Sequence, residues 1–339
     1  HTFVPGLPLS LLDHNLVHGN ALVGVGSLDE IRKKFDEGAG TLFAVDADNL
    51  LGQSAEPLRR LAQLSDATVK DIEAGRTLME EARLKTLETK ALCDLITAQP
   101  VSNDPLLKDY LFEDWERQKG EVQRSSALRL AREILDPLTA MHFPIAFPEV
   151  FLGRSQGFNV ILGNPPWKEV KAEERDFWTG LFPGLRGLSQ REQVQQWQKL
   201  SDSRPDLRDG WRTIEASTNH LARILKTGNF RGLDVGDLDL YKAFCWRFWH
   251  VASKISGKIS VVLPRSAVAA KGSEAFRKSL FGEASLSKIT TLINTGRWIF
   301  DMEPRYTIAL LSISKCKTSQ TGIEIRGPYN SMSSYLEGM

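Results

Sequence analysis

Apolar residues recur every three to four positions through residues 58–96, at Leu58, Leu61, Leu64, Val69, Ile72, Leu78, Leu84, Leu87 and Leu92, with Glu, Arg and Lys between them. That period marks one face of an α-helix, so the stretch predicts one long amphipathic helix or two, broken near Gly75. A second helical stretch is expected at 121–140, after the stop-and-start signal Asn103-Asp104-Pro105. Together they make residues 27–150 a helical insertion. On either side of it the pattern changes to strand. Leu9 to Val25 is largely apolar up to the polar turn His18-Gly19-Asn20-Ala21-Leu22, so residues 1–26 read as a short strand ending in a loop at a sheet edge. Phe158 to Gly163 is a continuous apolar run of the kind shown by parallel strands buried on both faces. Asn164-Pro165-Pro166-Trp167 follows at once, and two prolines neither extend a ladder nor enter a helix interior, so residues 151–167 read as a strand and the loop by which the chain leaves the sheet.

From 168 to 236 the sequence turns polar and helical again, with Phe177, Trp178, Phe182, Trp197 and Trp211 among Gly and Pro breaks, and this predicts a second insertion. Residues 237–315 then alternate: a helix over 238–253, a strand over 258–263, a helix near 272–281, and strands over 288–293 and 306–314. The Ser- and Gly-rich residues 316–339 read as a linker toward a further domain, and the opening His1-Thr2-Phe3-Val4-Pro5 reads as the interior of a longer protein. The fold class implied is α/β, an open sheet interrupted by two helical insertions.

Composition narrows the functional classes. Of 339 residues, 42% are hydrophobic and 25% charged, the balance of a folded globular chain and not of a disordered or coiled-coil one. Lys and Arg number 43 against 42 Asp and Glu, so any polyanion site must be local and not a bulk basic field. Cys93, Cys245 and Cys316 are odd in number and widely spaced, which argues against a disulfide framework or a thiolate zinc site and suits a reducing cytoplasm. No apolar run approaches the ~20 residues of a membrane-spanning helix, and no basic and then apolar leader opens the chain, so a cytoplasmic protein without a membrane role is expected. The six histidines include no H-x-x-x-H or H-E-x-x-H pair, and no metal is expected. Pro205-Asp206 is not followed by the acid-x-Lys strand of a nuclease cluster. Arg117, Lys119, Arg124, Arg129 and Arg132 could track a phosphate backbone, but the acids alternating with them favour a solvated helix face.

The chemistry concentrates at Asn164-Pro165-Pro166-Trp167, at the carboxyl end of its strand, where open α/β sheets place their ligands. An exocyclic amine on an aromatic ring is a poor nucleophile because its lone pair is delocalised. An Asn side-chain oxygen and a proline-constrained carbonyl, side by side, can accept both amine hydrogens and return the lone pair to nitrogen. Proline fixes φ near −65°, so that carbonyl is held in place. Trp167 offers a flat face on which a base taken out of its stack can rest, worth about 1–3 kcal/mol. The bland account of the same residues is a Pro-Pro turn with a capping Asn and a buried Trp.

These residues resemble the hallmark of the gamma-class N6-adenine DNA methyltransferases of restriction-modification and phage-defence systems, Asn/Asp-Pro-Pro followed by an aromatic. His18-Gly19-Asn20-Ala21-Leu22 is similar to the family's Gly-Asp-x-Leu segment, with Asn20 in place of the acid that contacts the adenine of S-adenosyl-L-methionine. Asp239-Leu240-Tyr241-Lys242-Ala243-Phe244 resembles the helix start whose Phe lies on the cofactor's adenine, and Gly257 to Pro264 resembles a sheet strand of the family. Phe300, five residues before Arg305, is similar to the aromatic that meets the flipped base, with Trp298 as its rival. The resemblance covers the start of the chain and about residues 157–315. It implies a Rossmann-like class I methyltransferase sheet, doubly wound and here partial. It further implies Asn164, Pro165, Pro166 and Trp167 as catalytic turn, Trp167 and Phe300 as base-stacking residues, and Asn20, Leu22, Phe244 and Asn164 as cofactor contacts. The expected cofactor is S-adenosyl-L-methionine and the expected partners are double-stranded DNA and a restriction or defence component. The family's Gly-rich methionine loop has no counterpart among the residues before His18. Two other readings stay open: methylation of RNA or of a protein glutamine by the same turn, and a non-catalytic DNA-binding scaffold on a degenerate methyltransferase fold.

Overall fold

The computed structural model describes residues 16–38, 51–52, 56–58, 60–61, 64, 68–112, 115–152, 154–226, 229–234, 236–283, 285–301, 307–316 and 323–338. The strand expected before residue 16, and Arg305, lie outside the described residues.

Five strands form one mixed sheet: β1 (Val160–Gly163), β2 (Lys258–Pro264), β3 (Ser285–Ile293), β4 (Thr307–Ser314) and β5 (Glu324–Tyr329), in the order β1-β2-β4-β3-β5. β1 pairs in parallel with β2, and β3 with β5, while β4 runs antiparallel between β2 and β3. The chain is therefore α/β, with one strand turned against the other four. The carboxyl ends of β1, β2, β3 and β5 consequently share one edge of the sheet, and the loops that leave them meet there.

One expected strand and the expected linker come out differently in context. The apolar run at β1 predicted a strand covered on both faces, yet Val160 and Leu162 are 62% and 77% exposed. Among the described residues β1 borders only β2 and ends the sheet, and strand order is not written in one strand's composition. Residues 316–339 are not a plain linker: after 317–322, which are outside the described residues, β5 joins the far edge of the sheet and α10 (Met332–Glu337) follows it. The reading failed because β5 is an edge strand with only Arg326 and Tyr329 partly covered, so its sequence carries no buried alternation.

The helical stretches fall where the periodicity put them, with one shift. α1 (Leu28–Gly38) precedes α2 (Val69–Lys85) and α3 (Leu87–Ala98), and the break between the last two is at Thr86 and not at Gly75. Gly75 lies buried inside α2, where a Cβ would meet Leu61 at 3.4 Å. Thr86 instead turns its hydroxyl back to the Ala82 and Arg83 carbonyls, which bends the chain out of one helix and into the next. α4 (Ser126–Leu135) occupies the middle of the 121–140 stretch, capped by the Ser125 hydroxyl. The second insertion holds α5 (Glu174–Leu181), α6 (Gln190–Ser203) and α7 (Pro205–Lys226). Among the described residues no helix is long and apolar enough to cross a membrane.

α8 (Leu240–Val251) is the centre of the core. The helix expected over 238–253 forms here, and Tyr241, Lys242, Ala243, Cys245, Trp246, Arg247, Trp249 and Val251 are all buried. A helix surrounded on every side must pair its charges internally. Lys242 Nζ reaches Asp239 Oδ2 at 2.8 Å and donates to the Asp237 carbonyl at 3.0 Å, so the Asp239 carboxylate is spent on this pair and does not cap the helix. Arg247 Nη2 donates to the Leu22 and Gly24 carbonyls at 3.1 and 2.7 Å, fastening residues 22–24 to α8. Residues 23–25 are also held by 141–143: Met141 and Phe143 donate to Val23 and Val25, and Val25 donates to His142 Nδ1. That acceptor role puts the imidazole proton on Nε2, 2.8 Å from Asp94.

A pH dependence of stability follows from His250 on α8. Its ring is half-buried against Trp246 and Phe230, and its buried Nδ1 has no hydrogen-bond partner. Burial first, and then the charge of Arg247, hold its pKa down at about 3, from an ordinary 6.5. Burial lowers His142 as well. An unfolded chain takes up these protons near pH 6.5 while the folded chain does not, so stability is complete above that pH and is lost as pH falls from 6.5 toward 3. His250→Phe keeps an aromatic ring and removes the titration. Its urea midpoint is expected to fall distinctly less than that of the unsubstituted protein between pH 7 and pH 5; parallel curves would assign the acid sensitivity elsewhere.

Candidate active site

β1 delivers Asn164 to the carboxyl edge of the sheet, and the two prolines carry the chain out over it. Pro165 is buried, while Asn164 and Pro166 are exposed. Among the described residues neither the Asn164 side chain nor the Pro165 carbonyl has a hydrogen-bond partner, so two adjacent acceptors are left open at the strand end. Trp167 is half-buried against the core, and its indole N–H points at the Val262 carbonyl of β2 at 3.4 Å. The ring is thereby fixed at the mouth of the β1–β2 pair and presents only part of its surface.

The turn is held from behind. Residues 168–170 run antiparallel to 238–240, with Val170 donating to Leu238 at 2.9 Å and Leu240 donating to Lys168 at 3.0 Å. The exit of the Pro-Pro turn is thus tied to the first turn of α8. Two helical turns further on, Phe248 closes over Gly163, where a Cβ would come within 2.6 Å of its ring. Gly163 is the residue before Asn164, so any side chain there would push the turn away from α8. Phe244, one turn earlier on the same face, is half-buried and tilted against Phe248 with ring centroids 5.8 Å apart. The sequence-predicted residues Asn164, Pro165, Trp167 and Phe244 are therefore gathered around one strand end.

No family model, curated protein or solved structure matches the chain.

The remaining predicted residues are placed less favourably. Asn20 bridges to Ala140, and its Oδ1 accepts from the Leu22 N–H at 3.1 Å, so the acceptor expected to face a cofactor amine serves its own turn. Leu22 is 2% exposed, its N–H goes to Asn20 and its carbonyl to Arg247, which leaves it nothing to offer a ligand. Its expected contact role is replaced by a structural one: the Leu side chain anchors the loop in the core. Phe300 follows β3, whose carboxyl end shares the sheet edge with that of β1 but lies across β2 and β4 from it, three strand spacings or about 14 Å between the strand ends. Its rival Trp298 turns its indole N–H back to the Ile293 carbonyl at 2.9 Å.

Sequence reasoning missed three residues that build this edge. Asn294 is fully buried; its Nδ2 donates to the Phe300 carbonyl at 2.9 Å and its Oδ1 accepts from Ile299 and Phe300, which fixes the loop that carries Phe300. Lys242 and Asp239 form the buried pair at the start of α8, next to residues 168–170. A lone Asn after an apolar strand gave no signal, and the pairing of Lys242 shows only once its helix is known to be surrounded. Cys245 lies near this helix face but is no nucleophile, since burial pushes its thiol up to about 12. Among the described residues no group of three or more His, Cys, Asp and Glu could hold a metal ion.

Proposed function

We propose that this turn orients an aromatic amine for methyl transfer from S-adenosyl-L-methionine, with adenine N6 in double-stranded DNA as the substrate. The observation that carries the reading is the pair of open acceptors, Asn164 Oδ1 and the Pro165 carbonyl, at the carboxyl end of a parallel strand. Each accepts one amine N–H. With both hydrogens held by Asn164 and Pro165, the nitrogen lone pair would leave conjugation and be free to accept the methyl group that a bound S-adenosyl-L-methionine would supply, its sulfur leaving as the neutral thioether. The surplus N–H proton then passes to solvent, so no side-chain base is required. Trp167 gives the base a part-exposed ring edge on which to rest; Phe300, carried by the loop after β3, is the resemblance's second base-stacking residue, and its strand end lies across β2 and β4 from Asn164.

The chain's residues fit the cofactor in part. Phe244 offers a half-buried ring next to Phe248, which closes over Gly163 at the strand end, and Asn20 keeps its amide NH2 while its Oδ1 serves its own turn. Leu22 does not contribute. When bound, the cofactor supplies an electrophilic methyl group; the rest is positioning by Asn164, Pro165 and the rigid β1–α8 contact. A doubly wound methyltransferase sheet agrees with the parallel β1–β2 pair and the shared carboxyl edge.

Nucleoside mass spectrometry tests the reading on unmethylated DNA incubated with the full chain and S-adenosyl-L-methionine. N6-methyladenine is the expected product. Label appearing only in RNA or in protein glutamine would move the substrate, and cofactor binding without any methylated product would favour a scaffold.

A further inference from the structure

Gly163 ends β1, and its backbone lies outside the left-handed region in which glycine is otherwise needed. Conformation therefore does not call for glycine here; space does. A Cβ at this position would meet the Phe248 ring at 2.6, 2.7 and 3.8 Å, where ordinary contact begins at 3.4 Å, and no other atom would come nearer than these. The ring alone occupies the place of a side chain.

Phe248 cannot readily give way. It is half-buried, tilted against Phe244 with centroids 5.8 Å apart, and its helix neighbours Arg247 and Trp249 are buried, Arg247 being fastened to the Leu22 and Gly24 carbonyls. The turn from Asn164 to Trp167 is then held to α8 at both ends. Its entry rests on the Phe248 ring through Gly163, and its exit is tied by the Val170–Leu238 and Leu240–Lys168 hydrogen bonds. Two prolines fix φ in between. The position of the two open acceptors thus depends on the spacing between β1 and α8, which the ring sets.

We infer that Phe248 is a positioning residue for the Asn164 turn, acting through Gly163 and touching neither substrate nor cofactor. Its ring holds the strand end at the distance from α8 that lets the Asn164 oxygen and the Pro165 carbonyl meet one substrate nitrogen. This rests on the methyl-transfer reading of the turn.

The test compares Gly163→Ala, Phe248→Leu and the double variant in steady-state and single-turnover methyl transfer. The ¹⁵N–¹H indole signal of Trp167, assigned with Trp167→Phe, gives a readout independent of activity. Gly163→Ala drives a methyl group into the ring, and kcat is expected to fall about 10²-fold with KM nearly unchanged, the usual cost of displacing a reacting centre by about 1 Å. Phe248→Leu exchanges one large apolar side chain for another at a half-buried position, so it provides a folded variant if Gly163→Ala is unstable. It is expected to lower kcat about tenfold. In the double variant the shorter side chain admits the new methyl group, so kcat should recover about tenfold over Gly163→Ala, and the Trp167 signal, shifted in each single variant, should move back. Additive losses in the double variant, or an unchanged kcat in Phe248→Leu, would overturn the inference. So would changes confined to the urea midpoint, which would leave the contact a structural one only. Absence of methyl transfer by the unsubstituted chain would count against the Asn164 reading alone. The Trp167 signal then decides: its reversal in the double variant supports the placing of the turn by Phe248, and its failure to shift or to reverse overturns it.

Discussion

Asn164→Ala is expected to lower the rate of methyl transfer by about 10²–10³, the usual cost of deleting one preorganised acceptor or donor from a reacting centre. The side chain is exposed and makes no hydrogen bond within the described residues, so its truncation removes an acceptor without leaving a buried group unsatisfied. Melting temperature and cofactor affinity should therefore change little. Asn164→Asp keeps an acceptor oxygen at the same place and should retain more activity than the alanine variant. Single-turnover kinetics separate the chemical step from binding, and turnover retained in Asn164→Ala would remove the turn from the mechanism. A variant that lost activity together with cooperative unfolding would show that the residue supports the fold instead.

Arg247→Met is expected to destabilise the protein by about 3 kcal/mol, the low end of the cost of breaking a buried ion pair from one side. Methionine fills most of the volume but leaves the Leu22 and Gly24 carbonyls without their donor and Glu30 without its counter-charge. Burial already pushes the Glu30 carboxyl above its usual range, so the acid can take up a proton and limit the damage. For the same reason Glu30→Gln should cost less than Arg247→Met, and the double variant less than the sum of the two. Urea unfolding with an unchanged slope checks the magnitude. A loss below 1 kcal/mol would mean that residues 22–26 are held by the 141–143 contacts and His142 without help from α8.

The two substitutions probe opposite faces of the same relationship. α8 touches the strand end at Gly163 through Phe248 and the 22–24 loop through Arg247. A single surrounded helix thus sets the position of both segments that the sequence had singled out for chemistry, Asn164–Trp167 and Asn20–Leu22.

By itself the sequence determined the elements whose causes are local. Two prolines force the exit from β1, the three-to-four spacing of leucines makes α2 and α3, and the alternation after residue 237 makes α8, β2, α9 (Glu274–Glu283), β3 and β4. It also placed Asn164 at a strand end, since an apolar run broken by Pro-Pro admits little else. Whatever depended on neighbours was decided by the tertiary structure. Strand order left β1 at the sheet's end with Val160 and Leu162 exposed, and brought β5 in from a stretch that read as linker. Burial on every side put α8 in the core, and with it made Lys242 and Arg247 interior groups, the guanidinium finding its acceptors up to 225 residues away. Periodicity reports which face of an element is apolar; it does not report what will stand opposite, and that opposition fixes the exposure, pairing and charge of each side chain here.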